Sequence, residues 1–196
     1  MKIIGITGGV GSGKSKVLDY IKTNYSAQVC QLDEVAKELQ KKGTDCYEHI
    51  VEVFGEEILL EDGELDRHKL AKIVFEEQKK RTLLNNIVHP RVKEWVVSDI
   101  NREREHKSFY VMEAALLIEA NYSEICDEMW YIYVDESLRR ERLYKARGYS
   151  AEKTNMIMSS QLTKDEFQEA ADCAINNSGN FQETIKQIDK YLMRKD

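Results

Sequence analysis

An α/β fold is the architecture this sequence predicts: a mostly parallel sheet covered on both faces by helices, with a helical insertion. Three observations carry it. A short apolar, β-branched run, Lys2-Ile3-Ile4-Gly5-Ile6-Thr7, leads through a glycine-rich loop into helical spacing. Strand-like runs then alternate with helix-like ones to the end of the chain. Between the second and third of those runs, residues 34–105 read as helix almost throughout and interrupt the strand sequence.

The first run reads as a buried strand. Directly after it, Gly8-Gly9-Val10-Gly11-Ser12-Gly13-Lys14-Ser15 fits the phosphate-loop pattern G-x-x-x-x-G-K-[ST], and Val17, Leu18 and Ile21 share one face of the helix that follows. Glycine lets the backbone turn and approach a ligand closely, so successive N–H groups can cradle phosphate oxygens. The helix start adds unpaired N–H groups and the positive end of its dipole. Lys14 supplies a charge for the β and γ phosphates, Ser15 offers a hydroxyl to Mg²⁺, and Lys16 adds a second cation beside them. A turn that merely joined strand to helix would have no packing reason to place Lys14 and Ser15 after Gly13.

Ala27 to Leu32 reads as a second strand ending at Asp33, and Glu34 to Gln40 as a helix closed by Lys41-Lys42-Gly43. Helical spacing runs from Asp45 to Phe54 and from Asp66 to Phe75 around the turn Glu61-Asp62-Gly63. A long helical stretch from Glu77 to about Glu105 contains Pro90, the only proline, which is expected to kink or interrupt it. Strand character returns at Phe109–Met112, ending at Glu113, and at Met129–Val134. A charged helix, Ser137–Arg147, is followed by another helix to about Gln161, a short strand at Cys173–Ile175 and a terminal helix from Phe181 to Met193.

Composition narrows the class. Hydrophobic residues at 42% and charged ones at 33% suit a soluble globular chain, read as one domain over 1–196 with a substantial core. A net charge of −6 argues against a nucleic-acid polymer as partner. Cys30, Cys46, Cys126 and Cys173 are widely spaced, without C-x-x-C or zinc spacing, which fits a reduced, cytoplasmic interior. No signal peptide is expected ahead of a loop that begins at Gly8, and no apolar run reaches membrane-spanning length.

In an open α/β sheet, ligands gather beyond the carboxyl ends of the strands, where Asp33, Glu113 and Glu119 fall. Asp33 is either the base that takes a proton from an attacking hydroxyl or the N-cap of the helix starting at Glu34. Glu113 is a magnesium-orienting carboxylate or a solvated strand end, and Glu119 is a weaker candidate of the same kind. Arg139, Arg140, Arg142 and Arg147 either close over phosphates as a lid or form a solvated face paired with Glu136 and Glu141. The second reading is expected for most of them. His89, between Val88 and Pro90, reads on its own as a packed histidine.

Together these segments resemble the dephospho-CoA kinase family over nearly the whole chain. The resemblance rests on GITGGVGSGKS at Gly5–Ser15, Leu32-Asp33-Glu34-Val35-Ala36, Gly63-Glu64-Leu65-Asp66-Arg67 and Leu84–Pro90 with its His-Pro pair. It continues through Glu113–Glu119, Arg142-Leu143, Gln161 and Ala171–Gly179. It implies a three-layer P-loop NTPase fold on a five-stranded parallel sheet. It also implies a helical acceptor-binding subdomain at 34–105 and a lid at 137–165. The implied reaction moves the γ-phosphoryl group of MgATP to the ribose 3′-hydroxyl of dephospho-CoA. No membrane and no obligate protein partner is implied.

Carried onto this sequence, the family pattern makes Asp33 the base, with Lys14 and Arg142 also catalytic. Gly8, Gly9, Val10, Gly11, Ser12, Gly13, Lys14, Ser15, Lys16 and Arg147 then hold nucleotide, and Arg67, His89 and Glu119 hold acceptor. Ser15 and Glu113 hold the metal. The chain departs from the pattern at Gln31, where the family often has Asp, at Ala115 in place of proline, and at Asn176 where Asp is frequent. Arg147 aligns only with a one-residue shift. A nucleoside monophosphate kinase shares the loop and an arginine lid and is separated by its acceptor. A GTPase switch is disfavoured because neither D-x-x-G nor N-K-x-D occurs.

Overall fold

The computed structural model describes residues 1–114 and 116–194; Ala115, one of the departures just named, lies outside the described residues. Its elements run β1 (Lys2–Thr7), α1 (Lys14–Asn24), β2 (Ala27–Gln31), α2 (Leu32–Leu39), α3 (Asp45–Phe54), α4 (Arg67–Glu76), α5 (Gln78–Glu103), β3 (Phe109–Glu113), β4 (Glu128–Tyr133), α6 (Glu136–Arg147), α7 (Ala151–Ser159), α8 (Lys164–Glu169), β5 (Cys173–Asn176) and α9 (Phe181–Leu192). The five strands form one sheet in the order β2-β3-β1-β4-β5. Parallel pairing sets Ile4 against Val111 on one side of β1 and against Glu128 on the other, while Ile132 pairs with Ile175 across β4 and β5. Such a sheet is buried on both faces, which explains the unbroken apolar runs of β1 and β4.

The chain divides into two compact units. The first comprises Met1–Val29 and the chain from Arg104 onward. Its core joins Ile4, Ile6, Val111, Trp130 and Ile132 of the strands to Val17, Leu18 and Ile21 of α1 and Ile188 of α9. Each fully buried aliphatic side chain there contributes about 1.5–3 kcal/mol.

The second unit, Cys30–Glu103, is helical. Helices α2, α3 and α4 each pack on α5, around Ile50, Phe54, Ile58, Val92 and Val96. Thr44 caps α3 by accepting from the Tyr47 N–H, and Asp66 caps α4 by accepting from the Lys69 N–H.

Four local expectations are corrected. The cap of α2 is Gln31, so Asp33 sits in the first turn rather than at the cap position; the helix begins two residues before Glu34 because Leu32 and Val35 are both buried. Pro90 does not interrupt α5, which runs continuously from Gln78 to Glu103. Proline deprives a carbonyl of its helical partner, and the Arg91 guanidinium donates to the neighbouring Ile87 carbonyl at 2.9 Å. His89 is exposed on the side of α5, not packed into the core. Finally, α7 stops at Ser159 and a separate short helix, α8, follows. It is started by a reciprocal cap between Thr163 and Glu166 and anchored by buried Phe167.

Candidate functional site

The loop between β1 and α1 is built by glycine. Gly11 and Gly13 hold φ of 85° and 84°, a region that residues with a Cβ rarely adopt. At Gly13 a side chain would also meet the Asn177 amide, 2.5 Å from the position of its Cβ. Gly13 is the N-cap of α1, and no side chain caps that helix. Its first-turn N–H groups and the positive end of its dipole therefore face whatever lies in the loop.

Lys14 Nζ donates to the Gly8 carbonyl at 2.6 Å and lies 3.5 Å from Glu113 Oε1 at the end of β3. Two buried hydroxyls, Thr7 Oγ1 at the end of β1 and Ser12 Oγ in the loop, have no hydrogen-bond partner among the described residues. An unsatisfied buried group costs about 1–3 kcal/mol. Two of them, in the same strand-to-helix turn as Lys14, fit a segment built for a polar ligand with several acceptor oxygens.

Three braces stiffen this loop. Asn177, just after β5, donates from Nδ2 to the Ser12 carbonyl at 2.8 Å and accepts at Oδ1 from the Thr184 hydroxyl at 2.9 Å. Arg142 donates to the Asn177 carbonyl at 3.0 Å and approaches Gly13, so it stands at the loop rather than in solvent. Gln161 accepts from the Val10 N–H at 3.1 Å, while Arg139 donates to the Val10 carbonyl at 3.1 Å. The solvated-face expectation holds for Arg140, which pairs with Glu136 at 2.7 Å. Lys145 pairs with Glu141.

The remaining candidates are more dispersed. Ser15 is exposed in the first turn of α1; Lys16 lies over the Phe181 ring, 4.1 Å from its centroid. Arg147 ends α6 against the Tyr149 ring, and Glu119 is exposed in the turn after β3. In the helical unit, Asp33 is exposed in α2, and Arg67 opens α4 with its guanidinium donating to the Lys37 carbonyl at 3.0 Å. His89 is exposed by area, yet desolvation from neighbouring protein lowers its pKa below the usual imidazole value, which favours the neutral ring.

A divalent cation fits the oxygen donors present. Mg²⁺ is commonly held by one or two protein oxygens together with substrate phosphates and water, not by a closed protein cage. The Ser15 hydroxyl and the Glu113 carboxylate are ligands of that kind, and no cluster of three His, Cys, Asp or Glu occurs among the described residues. Thiolate chemistry is not favoured at Cys126 and Cys173, whose thiols burial pushes up to about 12. No helix among the described residues is long and apolar enough to cross a membrane.

The family model for dephospho-CoA kinase (CoaE) matches residues 2–183. A Bacillus cereus dephospho-CoA kinase is 38% identical over 195 residues, covering 97% of this chain and 95% of that protein. The chain belongs to the dephospho-CoA kinase family. Solved structures agree on the fold. A Thermus thermophilus protein superposes with a TM-score of 0.83 at 24% identity, covering 97% of this chain and 96% of that one. The dephospho-CoA kinase from Campylobacter jejuni gives 0.71 at 24% identity, covering 97% and 98%. Membership of a dephospho-CoA kinase family implies use of ATP.

Two contributors had no role assigned from sequence. Asn177 lies in an Asn-Asn-Ser-Gly run that reads as a turn; its burial behind β5 was the missing information. Gln161 follows a helix with nothing local to show that its amide reaches a loop 151 residues away.

Proposed function

We propose that this chain transfers the γ-phosphoryl group of ATP to the ribose 3′-hydroxyl of dephospho-CoA, giving coenzyme A and ADP. The observation that carries the proposal is the Lys14–Glu113 pair at the mouth of a braced glycine loop, in a chain of this family. In that loop, N–H groups at the start of α1 and the Lys14 ammonium bind the phosphate oxygens. Arg142 adds a guanidinium against charge that develops on the transferring group. Asp33 accepts the proton of the 3′-hydroxyl as the new P–O bond forms and the bond to the β-phosphate oxygen breaks, with ADP leaving. Ser15 and Glu113 would hold Mg²⁺, which would supply charge neutralisation to the phosphates. Lys16 and Arg147 flank the nucleotide, while Arg67, His89 and Glu119 bind the acceptor. Residues 34–105 serve as the acceptor subdomain, and 137–165 as a lid that excludes water during transfer. The reaction is a soluble, cytoplasmic one.

A coupled assay of ADP formation tests the acceptor. Turnover with dephospho-CoA and little with AMP, CMP or dTMP is expected; the reverse preference assigns the chain to nucleoside monophosphates instead.

A further inference from the structure

Arg139 and Arg140 are neighbours on α6, yet they meet different surroundings. Arg140 stays with Glu136 and Asn155 on the exposed side. Arg139 turns inward, and burial lowers its pKa from the usual guanidinium value, though arginine stays cationic across the working range. Its Nε donates to the Val10 carbonyl at 3.1 Å and its Nη2 to Gln161 Oε1 at 2.9 Å. The same Gln161 oxygen accepts from the Val10 N–H at 3.1 Å. Both polar groups of one peptide residue, a guanidinium and a carboxamide thus close a ring around the tip of the phosphate loop.

The loop is shaped for this contact. Gly9 has an ordinary backbone, but any Cβ there would strike the Arg139 guanidinium. A Cβ at Gly11 would come within 3.3 Å of the Arg139 carbonyl and 3.2 Å of Leu143 Cγ. The inner face of α6 therefore rests directly on the loop. These two Arg139 hydrogen bonds, from Nε and from Nη2, hold the loop, at Val10 and through Gln161.

We propose that Arg139 and Gln161 are positioning residues that pre-order the phosphate loop for ATP, and that they do not themselves touch the transferred group. The proposal rests on the reading of this chain as a kinase given above. A loop with four glycines in six residues has much backbone freedom, and whatever is not removed beforehand must be removed on binding. The ring removes it at Val10. Because Arg139 and Gln161 act on the two sides of one residue, Val10, and bond each other, losing either opens the ring.

The test uses Arg139→Met and Gln161→Met, which keep packing volume, their double variant, and Arg139→Lys. Each single Met variant should raise KM for ATP about tenfold, the equivalent of freezing one backbone residue, with kcat and KM for dephospho-CoA little changed. The double variant should also lose about tenfold, not a hundredfold, because the two side chains share one target. Arg139→Lys, which retains a single donor nitrogen, should recover part of the loss. A merely structural role would lower the unfolding midpoint and leave KM for ATP alone. Unchanged KM, losses that multiply, or a collapse of kcat at unchanged KM each overturn the proposal. ADP binding by calorimetry separates this idea from the choice of acceptor. If the wild-type chain makes no coenzyme A but ADP affinity follows the pattern above, the acceptor reading fails and the brace stands. If coenzyme A forms and ADP affinity ignores the substitutions, the brace fails alone.

Discussion

The two units hold their candidate residues in opposite ways. Around the phosphate loop the long polar side chains are tied down: Lys14 to Gly8, Asn177 to Ser12 and Thr184, Arg142 to Asn177, Arg139 to Val10. In the helical unit Asp33, Arg67 and His89 stand exposed on helix surfaces, and Asp33 and His89 make no side-chain hydrogen bond among the described residues. The difference matches the demands on each side. A triphosphate is recognised by many short contacts at fixed angles, so preformed geometry lowers the entropy lost on binding. A base need only reach one hydroxyl, and an exposed side chain is open to an incoming acceptor.

The largest effect that follows is on Asp33. Asp33→Asn removes the proton acceptor while changing nothing buried, so kcat should fall about 10²–10⁴-fold. Stability should stay within about 0.5 kcal/mol, as for an ordinary surface substitution. Rapid-quench turnover and a denaturant melt measure the two quantities. Activity without stability is the signature of the exposed side, and a large stability loss at Asp33 would remove the contrast between the units.

The braced side should behave differently at Asn177. Asn177→Leu keeps the volume but leaves the Ser12 carbonyl without this donor and the Thr184 hydroxyl without its 2.9 Å acceptor, both in buried surroundings. A cost of about 1–3 kcal/mol is expected, or roughly 2–4 °C in Tm for each kcal/mol in a chain of this size. Affinity for ADP should fall with it, since the brace ends on the loop. A drop in Tm with unchanged ADP affinity would show that the brace belongs to the core and not to the site.

Much of this arrangement is legible from sequence because it is local. The run Ile3-Ile4-Gly5-Ile6-Thr7 fixes a buried strand by its branching, and Gly13-Lys14-Ser15 fixes a phosphate loop by its spacing. The boundaries of α3 follow from its apolar spacing and its threonine cap. What stays hidden is set by distant contacts. Arg139 and Arg140 differ by one step, about 100° around a helix, and only the packing of α6 decides which of them meets the loop. Helix α8 carries a readable Thr-x-x-Glu start, but six residues with one buried side chain give too little periodicity to declare a helix.

The smallest effect probes the first unit away from the loop, at the beginning of β4. Burial raises the pKa of the Glu128 carboxyl, but the Lys2 ammonium at 2.7 Å and the Trp130 indole N–H at 2.8 Å outweigh it and hold the group below its usual value. The native state therefore binds fewer protons than the unfolded chain. Stability from this group is present above the unfolded carboxylate pKa and is lost as pH falls through the native one. Its partners are partly exposed, so the contribution is on the order of 1 kcal/mol or less. Glu128→Gln should be slightly less stable than wild type at pH 7, with the gap closing as pH drops below about 4. Urea melts across that range measure it. KM for ATP should not change, because Glu128 pairs at the starts of the strands while the loop leaves from the end of β1. If this substitution weakened nucleotide binding, the rigidity of the first unit would be a property of the whole sheet, and the braces around Val10 and Ser12 would lose their special standing.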